Sequence, residues 1–206
     1  MEKDTANKIL VLIAQAHSKS TPGKRSPDGR LREYAYSREI TKMIVEKLYR
    51  HNIKSIIINP EVEEDVKLSV QAERANKYYN QYKNDYDEIV LISPHVNASN
   101  KNTWSNASGF CVFVYNKASK KSRKLARIMA DFAYDTYGLQ GNRWVPENRY
   151  FEANYAILRL TCMPSILSEN MFQDNHEDVD FLLSKQGKET ISDLHVNSIL
   201  KYIQQK

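Results

Sequence analysis

The stretch ILVLIA at residues 9–14 is a continuous apolar run that is rich in branched side chains. Such a run is typical of a strand buried on both faces, as in the parallel sheet of an α/β protein. It is followed by Gln15, Ala16 and His17. The next residues, 18–29, contain two prolines and two glycines and therefore predict a loop.

Helical and strand patterns alternate outward from this first strand. Ile40, Ile44 and Leu48 are spaced so that they share one helical face. The run SIII at residues 55–58 then predicts a second buried strand, which ends at Asn59 and Pro60. A strand, a helix and a strand in this order predict a parallel crossover unit.

The remaining chain continues this alternation without an internal repeat or a linker. Further strands are predicted at residues 89–92, 110–115, 155–160 and 165–168, and further helices at residues 68–82 and around residues 125–133 and 196–203. The predicted fold class is therefore α/β, with a single three-layer domain in which helices flank a mostly parallel twisted sheet. We expect this domain to span residues 8–206, after an N-terminal tail at residues 1–7.

The composition is that of an ordinary globular domain. A chain of 206 residues buries about 70% of its unfolded surface and needs no disulfide to fold. With 41% apolar residues, six glycines and six prolines, it is neither collagen nor a disordered or low-complexity segment. The two cysteines, Cys111 and Cys162, are too few for a secreted disulfide scaffold. Both have apolar neighbours, so we expect two buried free thiols.

The sequence shows no targeting or membrane segment. Residues 1–8 are polar and of mixed charge, unlike a secretory signal, and no apolar run reaches the ~18 residues of a membrane-spanning helix. We therefore expect synthesis in the cytoplasm and no membrane insertion. Release to the cell wall and retention in the cytoplasm are both compatible with this sequence, so the final location is left open.

The chain is mildly basic, with a formal net charge of +5. Five of its Lys and Arg residues cluster at residues 117–124. A basic surface suits nucleic acid, an anionic membrane or an anionic polymer such as bacterial cell wall. The solvated start of a helix explains the cluster equally well.

Ionisable side chains lie at the ends of three predicted strands. His17 follows the first strand, and His95 follows the third. Glu169 ends the short strand at 165–168, and Glu33 opens the first helix. Ligands of open α/β sheets bind beyond the carboxyl ends of the strands, which makes these side chains candidates for a site. Two His and one carboxylate are a common catalytic zinc set, beside which a further Glu can act as base.

Spacing alone leaves other interpretations open. The separations between these four residues are 16, 62 and 74 positions, and no short zinc motif such as HExxH occurs. A single His at a strand end is more often a hydrogen-bonded edge residue, and Glu33 would also favour the dipole of its helix. Glu169 has fewer such explanations, because a charge against a core needs a partner.

Several segments in fixed order resemble one enzyme family. ILVLIAQAHS contains His17, SPDGRLREYAYSREI contains Glu33, and ISPHVNAS contains His95 and Asn97. The last segment, PSILSENMFQDN, contains Glu169 and is the most specific. Between them lie three further similar segments: LSVQAERANKYYN, SGFCVFVY, and the Ser122, Leu125 and Ala126 pattern. From about residue 9 to its end, the chain resembles the zinc-dependent N-acetylmuramoyl-L-alanine amidases of the Amidase_3 family.

The resemblance implies a hydrolase that degrades the cell wall, as an endolysin does. Its substrate and partner would be peptidoglycan, cut at the amide between N-acetylmuramic acid and L-alanine. The implied cofactor is Zn²⁺, held by His17, Glu33 and His95. Glu169 would be the catalytic base and Asn97 a substrate-binding residue. We expect no nucleic-acid partner, and no oligomeric state follows from the sequence.

Two alternatives to an amidase stay open, one of them because the chain departs from the family pattern. Ala16 and Ser18 stand where glycines usually flank the first His, and Pro94 stands where Ile usually precedes the third ligand. Glu39, six residues after Glu33, is a rival for the carboxylate ligand. The replaced glycines and Pro94 motivate one alternative to an amidase, a catalytically degenerate module of the same fold that binds cell wall without cutting it. A nucleic-acid binder is supported only by the basic charge, and metal content would separate it from an amidase.

Overall fold

The computed structural model of the protein describes residues 8–99 and 103–205. Its strands are β1 Ile9–Ile13, β2 Lys54–Ile57, β3 Glu88–Asn97, β4 Cys111–Tyr115, β5 Phe151–Ala153 and β6 Ser165–Phe172. Its helices are α1 Glu33–Arg50, α2 Leu68–Tyr82, α3 Lys120–Asp131, α4 Ala156–Arg159, α5 His176–Leu183 and α6 Lys185–Gln204. A π-helical turn at Phe132–Thr136 continues α3. The predicted tail at residues 1–7 lies outside the described residues.

All six strands form one sheet in the order β2-β1-β3-β6-β4-β5. The pairs β1–β2, β1–β3, β3–β6 and β4–β5 are parallel, whereas β4 runs antiparallel to β6. Because β1 lies between two strands and under helices on both faces, each of its five residues is at most 5% exposed. The prediction of a mostly parallel sheet with ILVLIA as a buried strand is confirmed.

Alternate residues of β1 pack into two separate cores, which gives the domain three layers. Val11 and Ile13 pack with residues of α1, α3 and α6 on one face of the sheet. Leu10 and Leu12 pack with residues of α2 and α4 on the other face. The predicted three-layer α/β domain is therefore confirmed. No helix in the described ranges is both long and apolar enough to cross a membrane.

The second face of the sheet is covered unevenly. Its short helix α4 has only four residues, in contrast to the 15 of α2. Phe113 on β4 and Phe151 on β5 stay partly exposed on this face. The sheet is therefore partly open beside β4 and β5, next to the strand ends that carry the candidate site.

The predicted strand at residues 155–160 is wrong. The chain forms the strand β5 earlier and then turns into α4, where Leu160 donates its N–H to the Ala156 carbonyl at 2.9 Å. Ile157 and Leu158 are neighbours in sequence, and one helical turn buries both against the α2 side of the sheet. A short apolar run does not distinguish the two structures by its periodicity. The expectation of two buried thiols is half wrong, since Cys111 is buried and Cys162 is exposed.

Candidate metal centre and catalytic site

The candidate residues come together at the carboxyl ends of three strands. His17 lies four residues beyond β1, and Glu33 is the first residue of α1. His95 lies near the end of β3, and Glu169 lies on the neighbouring strand β6. The parallel sheet places these strand ends at one edge, which is where α/β proteins bind ligands.

His17, Glu33 and His95 form one cluster of potential ligands. One nitrogen or oxygen from each lies within 4.8 Å of those of the other two. Glu33 Oε1 is 3.1 Å from Nδ1 of His95 and accepts the backbone N–H of Val96 at 3.0 Å. Glu33 Oε2 is 3.5 Å from Nε2 of His17, and the two imidazole rings meet edge to face with centroids 5.2 Å apart.

The donor set of this cluster fits a divalent transition metal. Glu33 is 0% exposed, yet its Oε2 has no hydrogen-bond partner among the described residues. A buried carboxylate oxygen without a donor is unfavourable unless a cation satisfies it. Two imidazole nitrogens and one carboxylate oxygen are the ligands of catalytic zinc sites that keep a fourth position open.

Burial and charge set the protonation of the three groups. Burial lowers the pKa of His17 to about 4, so its imidazole is neutral at pH 7 and has a free lone pair. Burial raises the pKa of Glu33, but the hydrogen bonds from His95 and Val96 together with the charges of both histidines outweigh burial and lower the pKa of this carboxylate. Burial lowers the pKa of His95, but the hydrogen bond to Glu33 together with the charges of Glu33 and Glu169 outweighs burial, so the pKa of His95 is raised. A metal would therefore compete with a proton for His95, so that metal affinity should fall at low pH.

Glu169 stands beside the cluster on the same face of the sheet. It is the Cα partner of His95 across β3 and β6, and side chains at one register position share a face. Its Oε2 is buried and has no hydrogen-bond partner among the residues that the structure describes. Burial raises the pKa of Glu169 to about 7, which suits a group that takes up and releases a proton near neutral pH.

Ser37 joins the two strand ends that carry the histidines. Its hydroxyl accepts the backbone N–H of Ala16 at 2.9 Å and donates to the Pro94 carbonyl at 3.1 Å. Ser37 lies one turn after Glu33 on α1. The same helix therefore supplies one candidate ligand and orders the backbone beside the other two.

Pro94 fits this position without leaving a carbonyl of the neighbouring strand unpaired. Its carbonyl points to Ser37, on the edge of β3 that faces β1, and its nitrogen lies on that same edge. The register pairs of β1 and β3 end at Ile13 and Ile92, and Ala14 just beyond them donates its N–H to the Ile92 carbonyl at 3.0 Å. The Ala14 carbonyl is the next acceptor on this edge, and it accepts from the Ser93 hydroxyl at 3.0 Å instead of from residue 94. Proline at this position therefore leaves no strand carbonyl unpaired.

The residues beside His17 do not need to be glycine. His17 itself has a φ of 47°, whereas neither Ala16 nor Ser18 has a positive φ. A side chain at either position is therefore compatible with the backbone. Both residues are buried, at 0% and 2% exposure.

Glu39 is not part of the cluster. Its side chain is 50% exposed and forms a 2.8 Å ion pair with Lys188 on α6. Of the two rival glutamates, Glu33 alone is grouped with His17 and His95.

The order and geometry of these residues correspond to one protein family. The model of the Amidase_3 family, described as N-acetylmuramoyl-L-alanine amidase, matches residues 11–201. The chain belongs to the Amidase_3 family. The match includes the three residues of the cluster and the neighbouring Glu169.

Solved amidase structures share the fold of this Amidase_3 protein. An N-acetylmuramoyl-L-alanine amidase from Clostridium difficile 630 is 23% identical with a TM-score of 0.80, over 97% of this chain and 99% of that chain. The amidase Ami1 from Mycobacterium smegmatis is 15% identical with a TM-score of 0.81, over 98% and 99%. The catalytic domain of the CD27L endolysin, which targets Clostridia difficile, is 25% identical with a TM-score of 0.65, over 93% and 97%. The comparison with curated proteins returned no match.

Other residues of the Amidase_3 pattern have structural roles here. Asn76 on α2 donates to the Leu160 carbonyl at 2.8 Å and accepts the N–H of Cys162 at 2.9 Å. Ser122 accepts the backbone N–H of Ser165 at 3.1 Å, where β6 begins. These bonds attach the segment before β6 to two helices, and thereby help to place the strand that carries Glu169.

Asn97, the predicted substrate-binding residue, lies at the end of β3. Its Oδ1 accepts the N–H of Ala98 at 2.9 Å, and its Nδ2 lies 3.5 Å from Sγ of Cys111. Cys111 is the register partner of Glu169 on β4. Asn97 therefore borders the glutamate and has an amide N–H available, but its contact with substrate remains a prediction.

Arg143 is a neighbour of the site that sequence analysis does not single out. Its guanidinium lies 5.4 Å from the ring centroid of Phe151 and 5.3 Å from that of Phe172. Burial is the main cause of the raised pKa of Glu169, and the positive charge of Arg143 acts to lower that pKa. Residues 138–150 have no periodic pattern, so only the folded chain shows that this arginine is near the glutamate.

Proposed function

We propose that this Amidase_3 protein is a zinc-dependent hydrolase of peptidoglycan. Its substrate bond is the amide between the lactyl group of N-acetylmuramic acid and L-alanine. The observation that carries the proposal is the buried Glu33 Oε2, which has no hydrogen-bond partner among the described residues and faces His17. Such an oxygen between two imidazoles, beside a second glutamate with a raised pKa, suits metal-assisted hydrolysis.

His17, Glu33 and His95 would hold the ion. Bound there, Zn²⁺ supplies a Lewis acid that lowers the pKa of a water molecule and polarises the amide carbonyl. The bond between Glu33 and Val96 keeps the carboxylate oriented, and Ser37 holds the backbone next to both histidines. These contacts fix the ligands before substrate arrives.

Glu169 would move the proton. Its carboxylate takes a proton from the attacking water as the new C–O bond forms, and passes it to the amide nitrogen as the C–N bond breaks. The stem peptide then leaves as an amine, and the lactyl group keeps the new carboxylate. The raised pKa of Glu169, about 7, allows both transfers near neutral pH. Asn97 would donate its Nδ2 hydrogen bond to the substrate beside this reaction.

Two measurements on the purified protein test the proposal. Metal analysis should find about one Zn²⁺ per chain, since the cluster offers one set of three ligands. Purified peptidoglycan should release free stem-peptide amines, and this release should stop with a chelator and return with zinc. A zinc-loaded protein that releases no amines from several wall types would instead be the non-catalytic wall-binding module.

A further inference from the structure

The guanidinium of Arg143 is held by aromatic rings and is otherwise unpaired. It lies over the rings of Phe151 and Phe172, at 5.4 Å and 5.3 Å from their centroids. In the described part of the chain, no carboxylate pairs with it within 4.0 Å and no group accepts a hydrogen bond from it. Stacking on two rings restricts the side chain but leaves the in-plane N–H donors of the guanidinium free.

The register of the sheet puts this arginine next to the catalytic glutamate. Glu169 on β6 pairs with Cys111 on β4, so their side chains form one row across the sheet. Phe113, two residues further along β4, pairs with Phe151 on β5 and forms the next row on the same face. The guanidinium of Arg143 lies over the ring of Phe151. Its positive charge acts to lower the pKa of both Glu169 and Cys111, which shows that it is near them.

This position lies on the partly open face of the sheet. Phe113 and Phe151 are partly exposed, and Trp144, whose ring meets that of Phe151 edge to face, is 76% exposed. A substrate chain that reaches Glu169 across β4 and β5 would therefore pass Arg143. The arginine is not a structural ion-pair partner of Glu169, since the two groups are not within salt-bridge distance in the described structure.

We propose that Arg143 binds a carboxylate of the stem peptide and so selects substrates that carry a free carboxyl group near the cut amide. This inference rests on the proposed amidase function. A planar guanidinium with free donors recognises carboxylates by two parallel hydrogen bonds. The muramic acid side of the cut bond has no such group, because its lactyl carboxyl is consumed in the amide. The carboxylate must therefore belong to the peptide that leaves.

Two matched ligands test this proposal. N-Acetylmuramoyl-L-alanyl-D-glutamate has a free α-carboxylate on its second residue, where N-acetylmuramoyl-L-alanyl-D-isoglutamine has a carboxamide. Both ligands keep the γ-carboxylate, so the comparison tests the α-carboxylate, which lies nearer to the cut amide. Binding of both to the zinc-loaded protein would be measured by calorimetry, and amine release would be followed in parallel. We expect the wild type to prefer the carboxylate by at least about tenfold in affinity, as for a charge-assisted hydrogen bond. Arg143→Met should lose most of this preference while binding the carboxamide almost as before, and Arg143→Lys should retain part of it.

Lys24→Met is the matched control. Lys24 also acts electrostatically on Glu169, so it reports the general positive field of the site. This variant should keep the carboxylate preference. Equal binding of the two ligands by the wild type, or equal losses with Lys24→Met and Arg143→Met, would overturn the assignment. So would an Arg143→Met variant that weakens both ligands alike, because the arginine would then act only on the site itself.

The binding measurement separates this proposal from the amidase proposal. If neither ligand nor intact peptidoglycan is cleaved, the amidase function fails. A carboxylate preference that depends on Arg143 would still be seen by calorimetry in that case.

Discussion

His95 and Glu169 occupy the same register position on the neighbouring parallel strands β3 and β6. Side chains at one position of a parallel pair lie side by side on one face, so backbone pairing alone places a candidate metal ligand next to a candidate base. The amide of Asn170 adds a second link, because it donates to the His95 carbonyl at 2.8 Å. The separation of the two functional groups is thus set by rigid strands and not by a loop.

Removing either histidine of the cluster should abolish tight zinc binding. His17→Ala and His95→Ala each leave two of the three ligands. Loss of a residue that only hydrogen-bonds to a metal ligand lowers metal affinity by up to ~100-fold, so loss of a ligand itself should lower zinc affinity by more than that. His51→Ala, at an exposed position after α1, is the control and should bind zinc normally. Titration with zinc under matched buffer conditions measures the effect. Near-normal affinity in both ligand variants would show that the assignment is wrong.

The two glutamates of α1 should respond differently to the same substitution. Glu33→Gln should weaken zinc binding, because a neutral amide is a poor replacement for a carboxylate ligand. Glu39→Gln removes only an exposed ion pair with Lys188 and should leave zinc occupancy unchanged. Zinc content after dialysis distinguishes the variants. The opposite pattern would move the ligand to Glu39.

Glu169→Gln should keep the fold and the zinc but lose turnover. A general base contributes about 10²–10⁴-fold to rate, and this glutamate would also act as the acid. Release of stem-peptide amines from peptidoglycan would be measured together with zinc content. Glu152→Gln, which changes a carboxylate in the ion pair with Arg123, is the control. A wild-type rate for Glu169→Gln would make this carboxylate structural.

Loss of the Ser37 hydroxyl should affect both stability and metal binding. Ser37→Ala leaves the buried N–H of Ala16 without its acceptor, which should lower the free energy of unfolding by about 1–3 kcal/mol. Zinc affinity should fall as well, because Ser37 orders the backbone next to His17 and His95. Ser198→Ala, which removes another buried hydroxyl far along α6, should leave zinc affinity unchanged. Urea unfolding and zinc titration check the two expectations, and equal zinc affinity in both variants would contradict the second.

His195 should make the metal-free protein less stable in acid. It is buried in α6, where Nδ1 donates to the Ile191 carbonyl and Nε2 accepts from Ser168 at 2.8 Å. Burial lowers its pKa to about 4 from an ordinary 6.5. Between these pH values the unfolded chain binds more protons, so the stability from the neutral ring is complete above about pH 6.5 and is lost as the pH falls towards 4.

His195→Gln should remove this pH-dependent contribution to stability, whether or not the variant is less stable than the wild type at neutral pH. The free energy of unfolding of the wild type should fall more steeply with decreasing pH than that of the variant, by up to about 1.4 kcal/mol per pH unit for one proton. Urea unfolding of both metal-free proteins at pH 7.5 and at pH 5 gives the two slopes. Identical slopes would mean that His195 does not titrate in this range.

Most of the fold follows from local patterns in the sequence. Four predicted elements are confirmed: the strands from the apolar runs at residues 9–14, 55–58 and 89–92, and the helix at residues 68–82. A buried strand in a parallel sheet needs a continuous apolar run, and a helix packed on one face needs apolar residues at helical spacing. Residues 156–159 form a helix instead of the predicted strand, and the short apolar run, which lacks a period, did not distinguish the two. Cys162 is exposed because the turn after α4 faces solvent, which its apolar neighbours do not indicate.

The candidate site was predictable in its members but not in its arrangement. Their position at strand ends indicated His17, His95 and Glu169. The position of Glu33 at the start of the first helix favoured it over Glu39. The unpaired Oε2 of Glu33 and the raised pKa of Glu169 appear only when distant segments pack together.

The sequence by itself determined most of the strands and helices in their order, the residues with reactive side chains, and the resemblance to one family. Each of these depends on the identity of a residue and its close neighbours along the chain. Only the tertiary structure decided that His95 lies beside Glu169, that Ser37 bridges two strand ends, and that Arg143 lies near the glutamate between two aromatic rings. These relationships join residues that are far apart in sequence, and strand register and side-chain packing, which bring them together, are properties of the whole folded chain.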